Sequence, residues 1–463
     1  MYTLKMIFIS AVVVFACLFA VYGLYRHYFS MMAKLDRYVQ TYVHVQSFSG
    51  SVLVAQRGKI LLCKGYGMAN YELDVPNTPG TKFYLASVGK QFTAMGILKL
   101  VQLGKLRLED TVATLFSDYP RGKDITIYQL LTHTSGIPDY ANNPVNADDS
   151  AFQLLFMQPG NTKKTITFFK NRPLEFEPGT QYKYSNSGYT LLAAIIEKVS
   201  GKSCEQWLKE TVFVPLGMHD TGVMHTLPLL KNRASRYQLT ENGIQNAHYI
   251  DLTFDTGAGG LYSTVEDLYK WDRALYADAL ISQKLIARMI TPCKDDYCLG
   301  WVSQKILGYH CIWHNGALEG AHTVIYRFVD DDICIIILSN ILPSSVETMA
   351  KNIAAILFGQ KPEYLKKHVA IVVNPKIYDQ YVGTYKGTID NKNATFVVTK
   401  EQEKLFIERI EKKDKREVYP EAETEFFLKS LDVQFSFIKD KEGKVTQLVL
   451  HQQGNDMFFK KME

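Results

Sequence analysis

The chain has 463 residues, about three times the usual size of a domain, so the sequence predicts two or three domains. With 47% hydrophobic and 21% charged residues, it is too apolar for extensive disorder. Lys and Arg number 52 against 47 Asp and Glu, without long basic runs, which argues against nucleic-acid binding. Seven cysteines are too few for a disulfide scaffold, and no Cys/His cluster indicates a metal site. Cys293 and Cys298 are close enough in sequence to pair, although buried free thiols are the simpler interpretation.

The first predicted element is a membrane anchor. Met6 to Tyr25 are twenty residues without a charge, enough for ~30 Å of helix, the thickness of the bilayer hydrocarbon. A cleaved signal peptide would have a shorter apolar stretch, and a lipoprotein site at Cys17 would not be followed by further apolar residues. We therefore predict an uncleaved single-pass anchor over residues 1–30, although the flanking charges are too balanced to orient it.

The middle of the chain predicts an α+β domain over residues 46–360, after a polar linker helix at 31–45. Two β-rich runs at 49–55 and 60–63 flank a Gln-Arg-Gly-Lys turn and predict a hairpin. Apolar residues at helical spacing then predict several helices, and strands return at 323–328 and 333–338. Strands at both ends with helices between them are typical of α+β proteins.

A second domain is predicted after Pro375. There the pattern changes to short strands separated by turns, from about Thr395 to Phe459. Such spacing favours a small antiparallel sheet or barrel of roughly 85 residues, near the size that folds alone. The sequence therefore predicts a separate all-β module over residues 376–463.

A serine and a lysine one helical turn apart are the first candidates for chemistry. Ser87 stands at the start of a predicted helix, and Lys90 lies on the same side, where its amine can act as a base for the hydroxyl. Ser-x-x-Lys also arises by chance, as a helix cap followed by a solvated lysine. The pair therefore needs support from other motifs.

Two further motifs follow in the chain. Tyr184-Ser185-Asn186 places a phenol and an amide on a loop just before a helix, and His314-Asn315-Gly316 ends in a glycine that a substrate backbone can approach closely. The order of the three motifs resembles the serine β-lactamase and penicillin-binding-protein superfamily, most closely class C β-lactamases, D-peptidases and related esterases.

The resemblance covers about residues 45–360. Beyond the three motifs, segments 130–138, 215–218 and 258–263 look like structural signatures of the superfamily. The resemblance implies a β-lactamase/transpeptidase-like fold, with an antiparallel sheet flanked by helices and a helical subdomain. Residues 381–385 look like the start of the lipocalin-like domain often appended to such hydrolases.

The resemblance also implies roles for individual residues. Ser87 would form an acyl-enzyme with a carbonyl substrate, while Lys90 and Tyr184 share the role of base. Asn186 would orient Lys90 and the substrate amide. His314 would lie beside Tyr184 or the substrate carboxylate. No metal and no cofactor are needed.

The third motif would also line the substrate site. Gly316 and Asn315 would contact the substrate, and the backbone N–H groups of Ser87 and Ala317 would form the oxyanion hole. The family usually has lysine where this chain has His314, so the resemblance implies weak or no β-lactamase activity. Because histidine has an ordinary pKa of ~6.5, we expect binding of substrate carboxylates to weaken from about pH 6 to 8.

Other residues could compete with these motifs for a catalytic role, and we interpret them as structural. Tyr140 begins a second Tyr-x-Asn but precedes the Pro-Gly loop, so we interpret it as part of the wall. Lys441-Glu442-Gly443 reads as a hairpin turn, and His133 as a scaffold histidine.

The favoured hypothesis is a membrane-anchored serine hydrolase acting on a peptide, amide or ester, with its catalytic domain periplasmic or extracellular. The alternative is a catalytically idle module that recognises cell-wall peptide or a protein partner.

Overall fold

The computed structural model describes residues 30–45, 47–141, 156–240, 242–364, 368–389, 392–429, 433–452 and 455–462. The predicted anchor, Met6 to Tyr25, lies outside these residues. Within the described ranges, no helix is long and apolar enough to cross a membrane. Cys293, Cys298 and the other four described cysteines carry free thiols.

Helices and strands occur in separate runs along the first domain. The helices are α1 (30–44), α2 (Lys90–Gln102), α3 (Val112–Leu115), α4 (Ile127–Leu131), α5 (Thr162–Thr167), α6 (Asn186–Ser200), α7 (Cys204–Leu208), α8 (Val265–Ala274), α9 (Gln283–Met289) and α10 (Val346–Leu357). The strands are β1 (Gly50–Gln56), β2 (Lys59–Tyr66), β3 (Met68–Asn70), β4 (Val75–Pro76), β5 (Phe83–Tyr84), β6 (Gly222–Val223), β7 (Tyr237–Thr240), β8 (Gly243–Asn246), β9 (Leu261–Ser263), β10 (Val302–Ile306), β11 (Tyr309–Leu318), β12 (Ala321–Phe328), β13 (Ile333–Ser339) and β14 (Ile341–Leu342).

A six-stranded antiparallel sheet in the order β10-β11-β12-β13-β1-β2 forms the centre of this domain. The predicted hairpin is confirmed: β1 and β2 pair across a turn at Arg57 and Gly58, both with positive φ. Every residue of β13 is buried, because helices cover both faces of the sheet. One face packs against α1 and α10, and the other against the helices that carry the candidate site.

Helix α1 occupies the segment that we predicted to be a polar linker helix. Its residues Leu35, Tyr38, Val39 and Tyr42 are buried at helical spacing and pack in the same cluster as α10. The Tyr38 hydroxyl also donates to the carbonyl of Glu363, 3.1 Å away. The segment thus contributes a packed layer to the first domain.

The C-terminal part is a closed barrel of eight antiparallel strands. These are β15 (Gly383–Ile389), β16 (Lys392–Glu401), β17 (Lys404–Arg409), β18 (Asp414–Pro420), β19 (Glu425–Phe427), β20 (Val433–Lys439), β21 (Val445–Gln452) and β22 (Asn455–Lys461). Pairing of β15 with β22 closes the barrel. Its aromatic side chains Tyr381, Tyr385, Phe426 and Phe437 pack against one another in its core. The predicted fold, an α+β domain followed by an all-β module, is confirmed.

Candidate active site

The candidate nucleophile lies on a short turn between strand β5 and helix α2. Ser87 belongs to a 3-10 turn, Ala86–Gly89, that runs directly into the helix. Ala86 has φ +49°, a left-handed conformation that costs about 1–2 kcal/mol for a residue with a Cβ. The Thr323 hydroxyl on β12 donates to the Leu85 carbonyl at 2.7 Å and ties this turn to the sheet. Tertiary contacts therefore hold Ser87 in a strained turn at the cleft.

Lys90 points back from the first turn of α2 to Ser87. Its buried ammonium group donates to Ser87 Oγ at 3.0 Å, Asn186 Oδ1 at 2.7 Å and the Ala258 carbonyl at 2.8 Å. Burial lowers the pKa of Lys90 to about 8, although the negative charge of Asp255 opposes the shift. About one tenth of the amine is therefore neutral at pH 7 and able to take the serine proton.

Tyr184 covers the other side of Lys90. Its ring centre is 4.8 Å from the lysine nitrogen, and its buried hydroxyl has no hydrogen-bond partner among the described residues. Burial raises the pKa of Tyr184 well above its ordinary value. The side chain is thus a neutral phenol beside the Ser87–Lys90 pair.

Asn186 is oriented by an aspartate that our sequence analysis missed. The Asp139 carboxylate accepts the Asn186 backbone N–H at 3.0 Å and its side-chain amide at 3.3 Å. The amide oxygen of Asn186 is therefore turned towards Lys90. Asp139 directly follows the signature segment 130–138, which was the available sequence signal.

Strand β11 approaches the nucleophile turn at Gly316. A Cβ on Gly316 would lie 2.4 Å from the Leu85 carbonyl oxygen and 2.8 Å from Ser87 N, so only glycine fits. Leu318 and Ala321 flank a two-residue turn, where the flanking pair is hydrogen-bonded. Because hydrogen-bonded and non-hydrogen-bonded pairs alternate along an antiparallel ladder, the next pair, Ala317 and His322, is not hydrogen-bonded. The Ala317 N–H therefore points away from β12. Ser87 and Ala317 both line the cleft, as an oxyanion hole requires.

His314 contradicts the charge that we expected for it. Its Nδ1 donates to the Asn315 carbonyl at 2.6 Å, so Nε2 accepts the hydrogen bond of the Tyr297 hydroxyl at 3.1 Å. Burial and then the positive charge of Lys90 lower the pKa of His314 to about 3. The prediction that His314 titrates between pH 6 and 8 is wrong, because the ring is neutral throughout that interval. Its centre lies 6.4 Å from that of Tyr184.

The rival residues lie around these groups. Tyr140 is buried and its hydroxyl bonds to Asp255, whose pKa burial raises to about 6. His133 packs its ring 4.2 Å from that of Tyr184 and accepts the Ser185 N–H on Nδ1. Residues 441–443 lie in the turn between β20 and β21, far along the chain from the cleft residues.

The side chain of Asn315 has a partner on helix α10. We expected it to bind substrate, and it does line the cleft, but its side-chain amide donates to Glu347 on α10 at 2.6 Å.

The described residues enclose a cleft of about 610 Å³ in front of Ser87. Besides the motif residues, its lining is largely apolar, with two carboxyl groups, from Asp255 and Glu319. None of the described lining residues is lysine or arginine. Within the described ranges, no His, Cys, Asp and Glu side chains are grouped so as to hold a metal ion. The apolar lining matches an uncharged acyl group better than a carboxylate.

Comparison with known proteins links the two domains to two families. Residues 35–358 match the model of the β-lactamase family, and residues 367–462 match a domain of unknown function, DUF3471. Penicillin-binding protein 4* of Bacillus subtilis (strain 168) is 30% identical over 450 residues, covering 91% of this chain and 97% of that protein.

Solved structures are similar as well. The octameric penicillin-binding protein homologue from Pyrococcus abyssi has a TM-score of 0.65 and 25% identity, covering 92% of this chain and 99% of that one. D-amino acid amidase from Ochrobactrum anthropi SV3, complexed with D-phenylalanine, has a TM-score of 0.62. It is 22% identical, covering 70% of this chain and 99% of that one, and it shares the fold.

Proposed function

Because this chain belongs to the β-lactamase family and is a serine hydrolase of the β-lactamase and penicillin-binding-protein type, we propose that it hydrolyses peptides, amides or esters through an acyl-enzyme on Ser87. One observation carries the proposal: a buried lysine with a pKa of about 8 donates directly to the serine hydroxyl. A serine without such a base is a poor nucleophile at neutral pH.

The steps follow from the groups around Ser87. Neutral Lys90 takes the proton as the serine oxygen attacks the substrate carbonyl, and the N–H groups of Ser87 and Ala317 stabilise the oxyanion. Tyr184 and Lys90 return the proton to the leaving group. The C–O or C–N bond breaks, and the acyl group stays on Ser87. Water, deprotonated by the same pair, then releases the acid and regenerates the serine.

The substrate that we propose has no carboxylate near the reacting carbonyl. The described cleft lining has no lysine or arginine, and His314 with its pKa of about 3 cannot supply a positive charge at neutral pH. Recognition of a β-lactam or C-terminal peptide carboxylate would therefore be weak. The fold shared with a D-amino acid amidase supports an amide as one substrate class. We propose a D-peptidase or esterase with little or no β-lactamase activity.

We also propose that the enzyme is attached to the cell membrane by the uncharged segment Met6 to Tyr25, with the catalytic domain periplasmic or extracellular. Full-length protein should then sediment with membranes and stay there in high salt, because a spanning helix is held by apolar burial rather than charge. Release by salt alone would contradict the anchor.

A substrate panel tests the proposed activity. Full-length protein and Ser87→Ala are compared on neutral nitrophenyl esters, D-amino acid amides and nitrocefin. We expect turnover of an ester or amide that Ser87→Ala abolishes, while its thermal midpoint stays near that of the wild type. Equal turnover by both proteins would refute the proposed nucleophile. Nitrocefin turned over faster than every ester and amide would refute the proposed substrate class.

A further inference from the structure

Among the described residues, the end of β11 that carries the proposed oxyanion donor has a strand on only one side. Its neighbour β10 pairs no further along β11 than Trp313, whereas β12 pairs as far as Leu318. The opposite side of this segment faces the cleft, where Ala317 lines the space in front of Ser87. A strand end with one neighbour frays more easily than a central strand, so its position depends on side-chain contacts.

Glu347 supplies two such contacts from behind the sheet. Its Oε1 accepts hydrogen bonds from the side-chain amide of Asn315 at 2.6 Å and from Nε2–H of His322 at 2.9 Å. Asn315 lies two residues before Ala317 on the same strand, and His322 is the cross-strand partner of Ala317. In an antiparallel pair, these positions share one face of the sheet. A single carboxylate oxygen thus bonds to two residues beside Ala317, Asn315 on the same strand and His322 on the neighbouring strand.

The carboxylate is itself well placed to do this. Glu347 lies in the first turn of α10, where the helix dipole favours a negative charge. Burial opposes ionisation, but the bonds from His322 and Asn315 prevail and keep the pKa of Glu347 below its usual value. Its side chain is 21% exposed, so both hydrogen bonds are largely shielded from water.

We propose that Glu347 is a positioning residue that, through Asn315 and His322, fixes the Ala317 N–H at the distance from Ser87 that the oxyanion requires. This inference rests on the proposed function, because it assigns Glu347 to the oxyanion hole of that same site. An oxyanion donor acts mainly in the transition state, so its displacement lowers kcat more than it changes KM.

Two variants of Glu347 separate positioning from general stability. In Glu347→Leu the acceptor is lost, and we expect kcat for a neutral nitrophenyl ester to fall about 10- to 100-fold, with KM within about twofold. An arylboronic acid forms a tetrahedral adduct on the serine, so its inhibition constant should rise by a similar factor. Glu347→Gln keeps an acceptor oxygen and should retain kcat within about threefold.

Asn315→Ala and Lys351→Ala complete the test. Asn315→Ala removes one of the two bonds without altering α10, and its kcat and boronate inhibition should change in the same direction as in Glu347→Leu. Lys351→Ala changes the charge of α10 one turn after Glu347 and should leave kcat and the boronate inhibition constant unchanged.

Wild-type kcat in folded Glu347→Leu would overturn the inference but not the proposed function. A rise in KM with unchanged kcat and unchanged boronate inhibition would do the same. If Glu347→Leu does not fold, wild-type kcat in Asn315→Ala overturns it. Absence of acyl turnover by the wild type would instead overturn the proposed function, and the inference with it.

Discussion

Replacement of Gly316 by alanine tests how closely strand β11 must approach the nucleophile turn. The new Cβ would lie 2.4 Å from the Leu85 carbonyl oxygen and 2.8 Å from Ser87 N, whereas ordinary contacts begin at 3.4 Å. Both neighbours are backbone atoms and cannot rotate away, so strand and turn must separate by about 1 Å. A misplacement of this size costs about 10²-fold in rate. We therefore expect kcat/KM for a neutral ester to fall about 10²-fold.

Gly80→Ala is the matched control. The nearest atom to its new Cβ would be Thr78 Oγ1, 3.9 Å away, and its backbone does not have positive φ. Steady-state ester hydrolysis is measured for both variants well below their thermal midpoints, because overpacking at Gly316 also destabilises the fold by about 1–3 kcal/mol. Gly80→Ala should match the wild type. A folded Gly316→Ala protein with wild-type kcat/KM would refute the proposed close approach.

Three further predictions concern charge and proton transfer. The kcat/KM should rise with pH around a midpoint near 8, because only neutral Lys90 accepts the serine proton. Asp255→Asn should move that midpoint to lower pH, because it removes a negative charge that favours the ammonium form of Lys90. A midpoint that moves to higher pH in Asp255→Asn would contradict this assignment. Tyr184→Phe should lower kcat at least about 10²-fold and Tyr140→Phe less, because the Tyr140 hydroxyl faces Asp255; the reverse order would identify the other tyrosine as catalytic. Since His314 is neutral from pH 6 to 8, any change in KM for a carboxylate-bearing D-peptide over this interval comes from Asp255 and Lys90 and should be the same in the wild type and in His314→Gln; a pH dependence that disappears in His314→Gln would show that the ring titrates there.

Local spacing was enough to predict the contact between Ser87 and Lys90. Residues three apart at the start of a helix share a face, and the structure has them 3.0 Å apart. The bond from Lys90 to Asn186 spans ninety-six positions in sequence and depends on the packing of α2 against α6. Without the family resemblance, the sequence offered no physical reason to join these two motifs.

Burial was the main quantity that the sequence did not reveal. The ordinary pKa of histidine suggested a titrating His314, but the structure buries it against the Tyr297 hydroxyl and near the charge of Lys90. The two bonds at Glu347 likewise join strands β11 and β12 to a helix some 30 residues later. Helix α1 is a different case, because we predicted a polar linker helix there, whereas Leu35, Tyr38 and Tyr42 are buried at helical spacing.

Trapping of the acyl-enzyme is the most direct test of Ser87 as the nucleophile. Full-length protein is mixed with an ester that is turned over, quenched in acid within the first turnovers, digested and analysed by mass spectrometry. The acyl mass should lie on the peptide that contains Ser87, and it should be absent in Ser87→Ala. An acyl group on any other residue, or continued turnover with no covalent adduct at any quench time, would contradict acyl transfer through Ser87.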